Sequence, residues 1–221
     1  GAPPRWDGLP RKGRTLLVMA EQGIGDQIAF AAFLPQLLED GPVILECEPR
    51  LEPLLARSLP GAIVRGRPVR REGATLSADY DWADATLSVD LASLPHLCGG
   101  KPAHTAPWMI PDAAERARWM DWRKTLGPRA VGVSWRSGLK GGLRDSQYAP
   151  LARWAQVIGK MDATPVVAQY GADPGEIATL EALSGKTLVV PPGLDQKDEI
   201  DRTAAMLSTL DAVVSAPTAV A

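Results

Sequence analysis

Histidine and cysteine are scarce in this 221-residue chain, two of each, and neither is placed for the chemistry it most often carries. Cys47 and Cys98 are too few for a disulfide framework, and Cys47 falls inside the strand-like run VILECE, where a buried free thiol is expected. A reducing, cytoplasmic setting fits. His96 and His104 lack cysteines at metal-ligand spacing, so no zinc site, and no metal site of any kind, is expected. An excess of one charge is missing too, and a net charge of -2 gives no reason to expect a nucleic-acid partner. No apolar run approaches the roughly 20 residues that span a bilayer, and no signal-peptide pattern opens the chain. Both absences are compatible with contact at the periphery of a membrane. Neither a Walker A loop nor a Gly-x-Ser-x-Gly elbow occurs.

What is present is ordinary globular composition, 45% hydrophobic and 23% charged, in a length that suits one large domain or two small ones. The richest stretch runs TLLVMA-EQGIGDQ-IAFAAFLPQLL over residues 15–38. An apolar run, a glycine-bracketed turn and an amphipathic run follow without a spacer, as in a buried parallel strand that turns directly into a helix. Gly23 and Gly25 are read as letting the backbone turn sharply and leaving the helix N-terminus open to a ligand. The third glycine of the dinucleotide fingerprint is absent, its position being Ile28, so a nicotinamide cofactor is disfavoured. Asp26 then has two readings. It caps the helix, or it acts as a general base that takes a proton from an attacking hydroxyl, kept ionised by the helix N-terminus. Glu21 and Gln22 share its turn and have two equal readings, groups that orient a polar substrate or solvated loop residues.

The rest of the chain alternates. After a Pro/Gly-rich lead-in (1–14, read as a linker), strands are expected at 15–20, 43–48 and 62–65, with 82–89 either a strand or the approach to one, and helices at 27–39, 50–58 and 91–97, with an irregular basic loop at 66–77. The proline-rich stretch 101–111 marks a boundary, and Asp112 caps a helix that ends at Gly127-Pro128. Strands at 130–135, 164–170, 187–190 and 211–216 and helices at 151–161, 176–183 and 197–210 repeat the pattern, with a last helix beginning at Pro217. The fold class is therefore α/β, two Rossmann-like domains at 15–111 and 112–221, the second incomplete at its C-terminus.

Further candidates lie in the second half. Arg136, Lys140 and Arg144 leave the strand at 130–135 on a glycine-bearing loop, a composition that suits a diphosphate. A solvated surface loop is the plainer alternative. Ser215 and Thr218 flank the last strand-to-helix turn, where hydroxyls and backbone N–H groups hold phosphates or merely cap. Trp135 is positioned to stack on a base or sugar, and Gln169 with Tyr170 closes the next strand as a second candidate for nucleotide contact. The remaining tryptophans read as packing residues.

Taken together, PRWDG, TLLVMAEQGIGDQIAFAAFLPQL, VILECEPRLEPLLARSLPG, VGVSWRSG and DAVVSAPTAVA resemble the glycosyltransferase-like domain that follows tetratricopeptide repeats in bacterial proteins. That domain is related to the ADP-heptose:lipopolysaccharide heptosyltransferases of GT-B fold. The resemblance covers nearly the whole chain. It implies an acceptor-side first domain, a nucleotide-sugar second domain and an inverting, metal-independent transfer without a cofactor. A nucleotide-diphosphate sugar would be the donor, and a glycan or protein hydroxyl the acceptor. Asp26 matches the family's glycine-flanked aspartate base, and the cationic loop and final turn match its donor regions. One departure is Pro217-Thr218 where many relatives carry Asp-Thr, and with the missing C-terminus it leads to the expectation that this segment alone is inactive. The rival from another class is a degenerate module that binds a nucleotide sugar or partner protein without turnover. A sugar-nucleotide epimerase is a third reading, and no acid-base pair for it stands out.

Overall fold

Short runs of leucine, valine and isoleucine set the architecture of the first half. In chain order the strands are β1 (Leu16–Met19), β2 (Val43–Cys47), β3 (Ala62–Gly66), β4 (Arg70–Glu72), β5 (Thr75–Ser77) and β6 (Leu87–Asp90). The computed structural model describes residues 1–21, 23–68, 70–72, 75–77, 80–102, 107–137 and 148–220, with backbone alone at 70–72 and 75–77. The chain divides into two units, Gly1–Ile110 and Pro111–Ala221.

In the first unit β3-β2-β1-β6 form a parallel sheet in that order. β1 and β2 are buried at every position, as the non-alternating runs LLVM and VILEC require of strands covered on both faces. Helices α1 (Ile24–Ala31), α2 (Leu34–Leu37), α3 (Glu52–Ser58) and α4 (Leu94–Leu97) connect them. The single helix expected at 27–39 is broken in two, because Pro35 has no N–H to donate to the preceding turn and its ring crowds it. The loop expected at 66–77 holds an antiparallel pair, Arg70↔Ser77 to Glu72↔Thr75, that its charged residues concealed. Of the two readings of 82–89, residues 82–86 are the approach and the strand begins at Leu87; Tyr80 and Trp82 pack, centroids 5.8 Å apart, beside Leu17, Met19 and Ile44.

The lead-in is no linker. Arg5 bridges Ser88 on the outer edge of β6, and Trp6 is buried, its indole N–H donating to the Leu9 carbonyl. Arg11 is fully buried. Its guanidinium donates to the carbonyls of Arg14, Leu37, Gly41 and Pro42, closing the C-terminal end of the α2 segment. Gly41 makes this possible: at φ 132°, a Cβ would sit 3.0 Å from the backbone of Gly13.

The second unit holds α5 (Ala113–Arg123), β7 (Ala130–Ser134), α6 (Leu151–Gly159), β8 (Thr164–Val167), α7 (Pro174–Ser184), α8 (Ile200–Leu207) and β9 (Ala212–Ser215). Its parallel sheet runs β8-β7-β9. Asp112 caps α5 as expected, accepting from the Glu115 N–H. The strand expected at 187–190 reduces to one bridge, Val166↔Val189, because Pro191 and Pro192 follow it. The helix expected from 197 starts at Ile200, since the Asp195 side chain holds the N–H groups of Lys197 and Asp198 in a turn. Residues 216–220 form bends and a turn rather than the start of a helix. Among the described residues, no helix is long and apolar enough to cross a membrane.

Candidate active site

In parallel α/β sheets ligands bind beyond the carboxyl ends of strands, where the connections diverge to opposite sides. In the first unit that point lies between β1 and β6, because β1 leads through α1 to β2 on one side while β6 pairs on the other. The chain leaves β1 through Ala20 and Glu21, and α1 begins after Gly23. Gly23 is the N-cap residue, in extended conformation at φ -65°, so neither it nor helical Gly25 supplies a left-handed turn. Asp26 is the third residue of α1 and caps nothing. Its side chain is exposed and, among the described residues, makes no hydrogen bond or ion pair. A carboxylate so placed is available to an incoming hydroxyl. Gln22 lies outside the described residues.

Two residues missed in the sequence hold this edge in place. Gln27, 2% exposed, accepts from the Glu48 N–H at 2.9 Å and donates to the Ala20 carbonyl at 3.5 Å. It thereby ties the first turn of α1 to the ends of both β1 and β2. The available signal was a polar residue on the apolar 27/31/34 stripe of a helix. Glu46, fully buried, lies across from Met19 in β2; Arg67 and Arg65 approach it at 3.3 and 3.7 Å, and the Asp81 N–H donates to it. A charge within an otherwise apolar strand was its signal.

Tyr80 faces the same edge. Burial first, and then the charges of Glu21, Asp90 and Glu46, push its phenol up to about 12. Cys47 is pushed to about 12 as well, by burial and then by Glu52, Glu48 and Glu46. Both raised values belong to the folded state, so the unfolded chain releases these protons first as pH rises. Their stabilisation is therefore complete below about pH 9 and declines as pH climbs towards 12. Hydrogen exchange of the β1 and β2 amides at pH 8, 10 and 11 is expected to show this decline. It is expected to be shallower in the double variant Cys47→Ala/Tyr80→Phe, and an unchanged slope would contradict the assignment.

In the second unit the diverging connections lie between β7 and β9, with Ser134 opposite Ser215 and the Ala216 N–H donating to the Ser134 carbonyl. Here Ser215 and Thr218 are brought together, their hydroxyls 3.1 Å apart, and Ser215 also donates to the Ala216 carbonyl. Arg136 turns the other way. Its Nε and Nη2 grip both oxygens of Glu176 at 2.6–3.1 Å, and Nη2 also reaches the Gly171 carbonyl. Trp135 is 1% exposed and donates its indole N–H to the same Glu176, so it offers no open ring face to a base. Gln169 is buried too, its Oε1 accepting from the backbone N–H groups of Trp135 and Arg136. Tyr170 beside it is half-buried. Lys140 and Arg144 lie outside the described residues.

The Arg136–Glu176 pair thus anchors the start of the cationic loop. Glu176→Ala is expected to destabilise the second unit by about 3 kcal/mol by stranding a buried guanidinium. A double-mutant cycle with Arg136→Ala, read by exchange of the β7 amides, is expected to show strong coupling; additive effects would contradict it. Among the described residues no group of three His, Cys, Asp or Glu side chains could hold a metal ion.

The architecture has known counterparts. The crystal structure of the glycosyl transferase family 9 protein from Veillonella parvula DSM 2008 superposes with a TM-score of 0.59, at 11% identity, over 96% of this chain and 77% of that one. E. coli ADP-heptose LPS heptosyltransferase II gives 0.53 at 8% identity, over 91% and 78%. The fold is a mixed α/β, heptosyltransferase-like glycosyltransferase fold. In sequence, the chain is 32% identical over 223 residues to protein FlbA of Caulobacter vibrioides. The match takes in 95% of this chain, which spans only 37% of the length of FlbA. No family model matches.

Proposed function

We propose that the chain is a glycosyltransferase module of GT-B type that moves a sugar from a nucleotide-diphosphate donor to a hydroxyl of a glycan or protein. The observation that carries this reading is Asp26, an exposed carboxylate in the first turn of α1, unengaged among the described residues, at the diverging point of a parallel sheet in a glycosyltransferase-like fold. In the reaction Asp26 takes the proton of the acceptor hydroxyl as its oxygen attacks the anomeric carbon. The bond from that carbon to the diphosphate oxygen breaks, and the nucleoside diphosphate leaves. One displacement inverts the anomeric centre and needs no cofactor or metal.

The donor is assigned to the crevice between β7 and β9. Ser215, Thr218 and the backbone N–H groups of their turn face the diphosphate, and Lys140 and Arg144 offset the charge that develops on it. Arg136, engaged by Glu176, serves as the fixed root of that loop rather than as a direct phosphate ligand. Of the acceptor-side residues, Glu21 and Gln22 orient the incoming hydroxyl. We place the protein in the cytoplasm, at the inner membrane where its acceptor demands it, and joined to a tetratricopeptide region. The test is nucleoside-diphosphate release from nucleotide sugars, with the inverted anomer in the product.

One observation favours the rival, a module that binds without turnover. The Ser215 and Thr218 hydroxyls already bond each other, and Pro217 between them has no N–H to offer. Ligand-dependent stabilisation without product would select that reading.

A further inference from the structure

We infer that the first unit carries a separate subsite for an uncharged, hydroxyl-rich ring, a pyranose of the acceptor, in the recess between the N-terminal segment and the end of β6. This rests on the transferase reading for its role, although not for its chemistry. The recess measures about 480 Å³ and is lined by Arg5, Trp6, Asp90, Ser93, His96 and Leu97 among others. Trp6 and Leu97 give it an apolar wall, against which the C–H face of a sugar ring packs.

The polar groups are the informative part. Arg5 and Asp90 form an ion pair at 2.9 Å with side chains 60% and 37% exposed, so their charges cancel and the recess does not select an anion. The pair uses one guanidinium nitrogen and one carboxylate oxygen. Among the described residues the other Asp90 oxygen, the remaining Arg5 N–H groups, the Ser93 hydroxyl and the His96 ring have no partner. Acceptors and donors thus stand side by side, as adjacent sugar hydroxyls require, since each both donates and accepts.

The position fits an extended acceptor. Asp90 lies beside Met19 at the end of β1, while Arg5 pairs with Ser88 on the opposite edge of β6. Two strand spacings, about 10 Å, therefore separate the Arg5 edge from the strand that leads to Asp26. The 3-10 turn Leu91–Ser93, which forms part of the wall, packs against α1. That distance suits the sugar next to the one whose hydroxyl reacts, which makes the recess a determinant of acceptor choice.

NMR titration of the 221-residue chain tests this directly. The probes are the methyl glycosides of glucose, galactose, mannose and N-acetylglucosamine, with inorganic phosphate as a separate arm. The reporters are the Trp6 indole N–H and the His96 ring. At least one glycoside is expected to shift both reporters saturably. Ser93→Ala and Asp90→Asn are each expected to weaken that binding about fivefold, the loss of one hydrogen bond. Phosphate is expected to leave the reporters in place. Reporters moved by phosphate and not by glycosides, by no probe at all, or as strongly in both variants as in the wild type would overturn the subsite. Because the titration contains no donor and reads no turnover, its failure leaves the role of Asp26 untouched, and an inactive Asp26 leaves the subsite standing.

Discussion

Asp26→Asn is expected to slow sugar transfer by about 10²–10⁴-fold, the range a positioned general base contributes, while donor affinity stays within about twofold. The asparagine keeps the size and the first-turn position but cannot take a proton. The split follows from where the groups sit: Asp26 belongs to the first unit, and the proposed donor groups belong to the second. Because Asp26 makes no hydrogen bond or ion pair among the described residues, the substitution removes no structural contact and folding is expected to be unchanged. Initial rates and donor titration calorimetry on the same preparation check both halves. Retained turnover would remove Asp26 as base, and equal loss of rate and donor binding would make it a structural residue.

The second large effect concerns stability. Arg11→Ala is expected to destabilise the first unit by about 3–5 kcal/mol, a large share of the 5–15 kcal/mol that holds a typical domain together. Four carbonyls, at the α2 end and just ahead of β1 and β2, lose their charged donor at once, in a site without exposure to water. Burial lowers the Arg11 guanidinium from its usual value, partly offset by Asp40. Arg11→Lys is expected to recover little, because an ammonium cannot present the planar fork that reaches several carbonyls. Hydrogen exchange of the β1 and β2 amides measures this for the first unit alone. Protection unchanged in Arg11→Ala would show the N-terminal segment to be an accessory after all.

These two residues also mark what could and could not be read in advance. β1 and its turn into α1 were legible because a four-residue apolar run, a glycine and a periodic stretch follow each other locally. Arg11 was not, since three of its four carbonyl partners lie 26 to 31 positions away and the surrounding prolines and glycines look like a linker. The same holds in the second unit. The apolar run of β7 and the basic loop behind it were visible, yet Glu176, 40 positions downstream, decides that Arg136 faces inward and Trp135 is sealed. Cations in a sequence advertise anion binding only until a carboxylate of the fold is found for them, as half-buried Glu176 is for Arg136. Local chemistry, such as the Asp112 cap, follows from neighbours in the chain, whereas the engagement of a charged side chain depends on tertiary contacts.

The reading as a transferase stands or falls on nucleoside-diphosphate release from a panel of UDP-, ADP- and GDP-sugars, followed in the wild-type protein and in Asp26→Asn. One donor is expected to yield its nucleoside diphosphate with the wild type and almost none with the variant, which still binds it. Binding of a nucleotide sugar by both proteins with no release from either would contradict transfer and leave a recognition module.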